Sequence, residues 1–131
     1  MSDVVVLDAS ALLALLNREP GADRVAAAIV FGAAMSTVNL SEVVAKLADL
    51  GMPEDEIREA MEPLGIEFVS LDRDAAVATG LLRPATRSAG LSLGDRACLA
   101  LGQRVGVAVL TADREWDQLD VFGLGKIEVI R

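Results

Sequence analysis

Two observations predict an α/β fold with a mainly parallel central sheet of about five strands. Short runs of β-favouring apolar residues recur along the chain, and they alternate with longer segments in which apolar residues step at i, i+3 and i+4. A third observation agrees with them. At 131 residues, with no internal repeat and no low-complexity linker, the chain reads as one domain spanning 1–131. A domain of this size buries roughly two-thirds of its unfolded surface and needs no staples.

The elements follow in order. VVVL (4–7) has four apolar residues in a row, the pattern of a strand buried on both faces, and runs directly into Asp8. SALLALLN (10–17) and ADRVAAAIV (22–30) carry helical spacing, with Pro20-Gly21 as the stop between them. AAMST (33–37) is the second strand and LSEVVAKLADLG (40–51) the helix that follows. Gly51 and Pro53 separate that helix from PEDEIREAMEPL (53–64), whose outer face is acidic; Gly65 ends it. IEFVSL (66–71) is a strand, and RDAAVATGLLRPATR (73–87) a helix that Pro84 kinks or ends. GDRACLALGQR (94–104) is the last long helix, and VAVLT (107–111) and IEVI (127–130) complete the strands.

Composition narrows the chemistry. Hydrophobic residues make up 53% of the chain and mean hydropathy is +0.44, high for a small monomer, so apolar surface is expected to lie against another chain. The longest uncharged stretch, 25–41, is interrupted by Gly32, Ser36, Thr37, Asn39 and Ser41 and is too short for a membrane span. The segment before the first strand is too short for a signal peptide, and Cys98 is alone, so a cytoplasmic protein is expected. A net charge of −8 argues against a broad basic face for nucleic acid. With no His and no Tyr, the usual general bases, zinc sites and Ser-His or Cys-His nucleophiles are excluded. Carboxylates are abundant, eleven Asp and nine Glu. A catalyst built from this inventory works through a hard, oxygen-loving cation.

Four acids occupy one kind of place. Asp8 and Asp113 follow strands and precede helical segments, while Glu42 and Asp95 fall in the first turns of helices. In a parallel sheet, ligands bind beyond the carboxyl ends of the strands, where helix N-termini point. A structural role competes for each acid: Asn39-Leu40-Ser41-Glu42 and Ser92-Leu93-Gly94-Asp95 both match a capping box. Asp8 is harder to explain as a cap, because Ser10 could cap the same helix without a charge at the end of a buried strand. Gathered a few ångströms apart, adjacent carboxylates repel by ~4 kcal/mol each at an effective dielectric of 20, more than a cap returns. Mg2+ or Mn2+ converts that repulsion into ligation.

The ordered set Asp8 in LDASALLAL, Glu42 in STVNLSEVVAKL, Asp95 in LSLGDRACLALG and Asp113 in VLTADREWDQL resembles the PIN-domain nucleases, specifically the VapC-type ribonuclease toxins of toxin–antitoxin pairs. The resemblance spans nearly the whole chain. It implies a PIN-like three-layer α/β/α fold and a Mg2+- or Mn2+-dependent endoribonuclease. It further implies a homodimer and a small VapB-type antitoxin that occupies the acidic groove. By this resemblance Asp8, Glu42, Asp95 and Asp113 form the acidic quartet, with Asp8 and Asp95 the direct metal ligands, and Ser10, Asn39 and Thr111 support the site through hydrogen bonds. Asp117, one turn after Asp113, is either a fifth, outer carboxylate or a solvated helix residue.

For RNA contacts the candidates are Arg96 and Arg114, beside proposed ligands, and Arg83 and Arg87, in a stretch free of acids; surface solvation accounts for all four equally well. With few aromatic residues, recognition rests on RNA shape and backbone placement. A haloacid-dehalogenase phosphotransferase needs D-x-D where this chain has Asp8-Ala9-Ser10, and a response regulator needs an early acidic pair that is missing. The remaining alternative is a non-catalytic module of the same fold that binds a protein partner. It leaves four intact acids as an unexplained electrostatic cost.

Overall fold

The computed structural model describes residues 4–119 and 125–131. Its centre is an all-parallel five-stranded sheet: β1 (Val5–Leu7), β2 (Ala33–Ser36), β3 (Glu67–Val69), β4 (Ala108–Thr111) and β5 (Ile127–Val129), in the order β3-β2-β1-β4-β5. Register places Val5 opposite both Ala33 and Ala108, and Leu7 opposite Leu110. Seven α-helices are present among the described residues: α1 (Ala9–Leu16), α2 (Ala22–Phe31), α3 (Thr37–Asp49), α4 (Glu54–Met61), α5 (Arg73–Leu81), α6 (Arg83–Thr86) and α7 (Leu93–Val105).

The period-2 alternation of the strands produces the three layers. Val5, Leu7, Met35 and Leu110 point to one face, where they pack with Leu12 of α1, Val25 of α2, Val43 and Leu47 of α3 and Ile57 of α4. Val6, Ala34 and Val109 point to the other face, against Cys98, Leu99 and Leu101 of α7, Leu82 and Trp116. β1 is therefore buried on both sides, as its four-residue apolar run predicts. Gly102 lets α7 lie close on the sheet, because a Cβ there would strike Val109 Cγ2. A helix-interior glycine costs roughly 1 kcal/mol relative to alanine, and close helix–sheet packing offsets that.

Three local expectations need correction. α3 starts at Thr37, immediately after β2, because Ser36 caps it by accepting the Val38 N–H at 3.2 Å. Asn39 is therefore the third residue of α3 and not its cap, Glu42 lies in the second turn, and the capping box proposed for them does not form. Asp8, not Ser10, caps α1, accepting the Ala11 N–H at 2.8 Å. The segment after Asp113 is a five-residue 3-10 helix, Arg114–Gln118. The helix read over 73–87 breaks near Pro84 as expected: it divides at Leu82 into α5 and α6, with Pro84 in the first turn of α6, the position where its missing N–H costs nothing.

Candidate acidic active site

The strand order fixes where a site can lie. The chain runs outward from β1 through β2 to β3, then returns to place β4 on the other side of β1. The topological switch point thus falls between the carboxyl ends of β1 and β4. Asp8 is the first residue beyond β1, and Asp113 lies two residues beyond β4. α3 and α7 bring Glu42 and Asp95 to the same edge: Asp8, Glu42, Asp95 and Asp113 line one cavity of about 210 Å³, with Ser10, Asn39 and Lys46.

Asp8 is 5% exposed and is held from several directions. Ser10 Oγ donates to both of its oxygens at 2.7 and 2.9 Å, and Thr111 Oγ1 donates to Oδ2 at 2.6 Å. These hydroxyls are themselves oriented: the Ala112 N–H donates to Ser10 Oγ at 2.9 Å and the Asp113 N–H to Thr111 Oγ1 at 3.1 Å. With lone pairs taken by backbone N–H groups, both hydroxyl hydrogens are directed at the carboxylate. The arrangement also stitches the end of β1 to the end of β4. Among the described residues the donors to Asp8 are hydroxyls and a backbone N–H, with no cationic side chain. Burial pushes the Asp8 carboxyl up to about 6, against the lowering effect of the Thr111, Ala11 and Ser10 hydrogen bonds, and the charge of Asp95 adds to the rise.

Glu42 and Asp95 are set by a different device. Asn39 is 1% exposed; its Nδ2 donates to Glu42 Oε1 at 2.9 Å and to the Gly94 carbonyl at 3.0 Å. The Glu42 carboxylate fills the space that a Cβ at Gly94 would occupy. Glycine in the first turn of α7 is thus what admits Glu42 to the site. Asp95 completes a capping box with Ser92, accepting the Ser92 N–H at 3.0 Å while its own N–H donates to Ser92 Oγ at 3.1 Å. Capping and lining the cavity are compatible roles for one carboxylate, and the same holds for Asp8. Asp113 is exposed and accepts the Glu115 N–H at 2.9 Å. The three acids Asp8, Asp95 and Glu42 converge on the same part of α7, where their charges, after burial itself, push the Cys98 thiol well above its ordinary value.

The donor set is all oxygen and suits a hard divalent cation. The buried Asn39 Oδ1 has no hydrogen-bond partner among the described residues, an acceptor left open in the wall of the cavity. Among the described residues no three carboxylates stand close enough to hold one ion unaided: the four surround the space and do not close on a point. Mg2+ keeps several of its waters and needs only one or two direct carboxylates, so an open ring fits it.

The remaining sequence candidates lie elsewhere. Asp117 is exposed on the 3-10 helix and does not line the cavity; three residues per turn there remove the stacking that a four-residue spacing gives on an α-helix. Arg83, Arg87 and Arg114 are exposed and also lie outside the cavity lining. Arg96 turns to α5, its Nη1 donating to the Thr79 carbonyl at 3.2 Å. Two participants are additions to the sequence reading. Lys46 lines the cavity one turn beyond Glu42, which their i,i+4 spacing signals. Gly94 is signalled by being a poor helix former inside a capped first turn.

The family model for the PIN domain matches residues 5–121 of the chain. No curated protein sequence matches it significantly. Among solved structures, VapBC2 from Rickettsia felis, bound to a DNA fragment from its promoter, is similar at a TM-score of 0.70 and 13% identity, covering 95% of this chain and 97% of that one. DNA-bound VapBC from Salmonella typhimurium gives 0.70 and 19%, covering 95% and 96%. VapBC-5 from Mycobacterium tuberculosis, of the VapBC family of toxin–antitoxin systems, gives 0.62 and 21%, covering 97% and 99%. At these identities the likeness is one of fold.

Proposed function

The chain belongs to the PIN-domain family, and from that premise we propose that it is a Mg2+- or Mn2+-dependent endoribonuclease, the toxin of a VapBC-type toxin–antitoxin pair. The observation that carries this reading is the meeting of Asp8, Glu42, Asp95 and Asp113, distant in sequence, around one cavity at the switch point of the sheet. The alternative, a module that binds only protein, accounts for Asp8 as the cap of α1 but gives no reason for three further acids to share its cavity.

Asp8 and Asp95 would hold the cation, with Glu42 and Asp113 completing the acidic ring. When bound, the cation supplies Lewis acidity and lowers the pKa of a water that attacks the phosphodiester. Ser10 and Thr111 fix the orientation of the Asp8 carboxylate in the cavity wall, so it needs no reorganisation to receive a cation. Asn39 holds the Glu42 carboxylate against α7, where it can accept a proton from the attacking water.

The partners belong to the same proposal. Val30 and Phe31 of α2 are 82% and 67% exposed, and an apolar groove of about 540 Å³ lies between α3 and α4, lined by Val44, Met52, Ile57, Met61 and Phe68 among others. Surface of this kind supports a homodimer and a small antitoxin. No helix among the described residues is long and apolar enough to cross a membrane, which is compatible with a cytoplasmic toxin.

Cleavage of total RNA, with and without chelator, tests the reading. Wild type with Mg2+ or Mn2+ should cut, and Asp8→Asn should lose at least about a thousandfold in rate while remaining folded. Cleavage that survives both chelator and Asp8→Asn rejects it.

A further inference from the structure

Lys46 has the sequence position of an ion-pair partner and does not act as one. Glu four residues before Lys on a helix is the favourable order for a pair. α4 shows the rule at work, Glu54 accepting from Arg58 Nε at 2.9 Å with the same spacing. In α3 the Glu42 carboxylate is taken by Asn39 and seated against Gly94. Lys46 consequently forms no ion pair with any described residue, although four carboxylates line the cavity it shares with them. It is the one cation in that lining among the described residues.

A long, exposed ammonium beside an acid ring, with its helical partner withdrawn, is placed to meet an anion that enters with the substrate. Resting on the nuclease reading above, we infer that Lys46 binds a non-scissile phosphate of the RNA strand at the mouth of the acidic cavity and so places the neighbouring bond over the carboxylates. Arg96 is turned to α5, and Arg83, Arg87 and Arg114 lie outside the cavity lining. Lys46 therefore supplies at the site the positive charge that a protein of net charge −8 otherwise lacks there. A lysine engages phosphate as a point charge and reads no base, so it contributes affinity and register without sequence preference.

The test pairs binding with cleavage. A short fluorescein-labelled single-stranded RNA is titrated with wild type, Lys46→Gln and Lys46→Arg in Ca2+ over a salt series, and the same proteins are assayed for cleavage in Mg2+. Lys46→Gln should weaken binding and raise KM by roughly fivefold, with much less effect on kcat, and reduce the salt slope of binding by about one phosphate contact. Lys46→Arg should restore most of the affinity. Equal affinity and equal salt slope in wild type and Lys46→Gln overturn the inference. Binding that depends on Lys46 without any cleavage by wild type leaves the phosphate contact standing and rejects the nuclease reading instead. No binding by wild type rejects both.

Discussion

Glu128 and Asp8 both sit against the parallel sheet, and they meet opposite surroundings. Glu128 on β5 takes a two-pronged contact from Arg24 of α2, with Nε at 2.5 Å and Nη2 at 3.0 Å, and the guanidinium holds its carboxyl below the usual range. Asp8, at the end of the central strand, is enclosed by two hydroxyls and a backbone N–H and has its carboxyl raised to about 6. The difference lies in the partner. Hydroxyls and amides orient a carboxylate, but only a cation cancels its charge. Glu128 at the edge of the sheet has its cation within the fold, whereas Asp8 at the switch point has no cationic side chain bonded to it among the described residues. For stability alone Asn or Ser would cap α1 as well as Asp8 does, without a charge to bury at the end of a central strand.

Changing Gly94 disturbs the contrast most. Alanine there puts a Cβ into the space of the Glu42 carboxylate. Gly94→Ala should lower the cleavage rate on the order of tenfold to a hundredfold, since small displacements of catalytic groups have effects of that size. The melting temperature should change little, because the gain in helix propensity, about 1 kcal/mol, opposes the clash. A variant with full activity would show that Glu42 does not need its place against α7.

A smaller effect, in stability, separates the two carboxylates by sign. Asp8 has its folded pKa raised from 3.8 to about 6, so its contribution is fully present below about 4 and is lost as pH rises through about 6. That difference corresponds to about 3 kcal/mol as an upper figure. Glu128, with its pKa lowered, contributes stability at neutral pH that is lost on acidification, and its partial exposure limits this to about 0.2–1 kcal/mol. Chemical denaturation without divalent metal should show Asp8→Asn gaining on wild type between pH 4 and pH 7, and Arg24→Ala losing slightly at neutral pH. If Asp8→Asn were destabilised equally at both pH values, Asp8 would be a structural cap and no more.

Much of the architecture is legible from periodicity. β1 reads as a doubly buried strand from its unbroken apolar run, and the alternation of strands and helices yields the parallel sheet, because both patterns depend on residues adjacent along the chain. The start of α3 was less so. Ser36, Asn39 and Ser41 are all competent caps, and Ser36 prevails because β2 ends there, a fact of tertiary structure. Within the site, the gathering of Asp8, Asp95 and Asp113 follows from their positions at element ends, while Glu42 reaches the same cavity from the second turn of α3. The seating of Glu42 on Gly94 and the freeing of Lys46 follow from contacts between α3 and α7, which no local pattern records. Arg96 shows the same limit from the other side: it is adjacent to Asp95 in sequence, yet its side chain belongs to α5.

Thermal unfolding with added Mn2+ or Mg2+ at neutral pH tests most directly whether the switch point is built for a cation. A ligand that binds only the folded state stabilises it in proportion to the logarithm of its concentration. The melting temperature of wild type should climb steadily through millimolar metal, while that of Asp8→Asn should stay nearly flat. Identical, metal-independent melting of the two proteins would contradict the account.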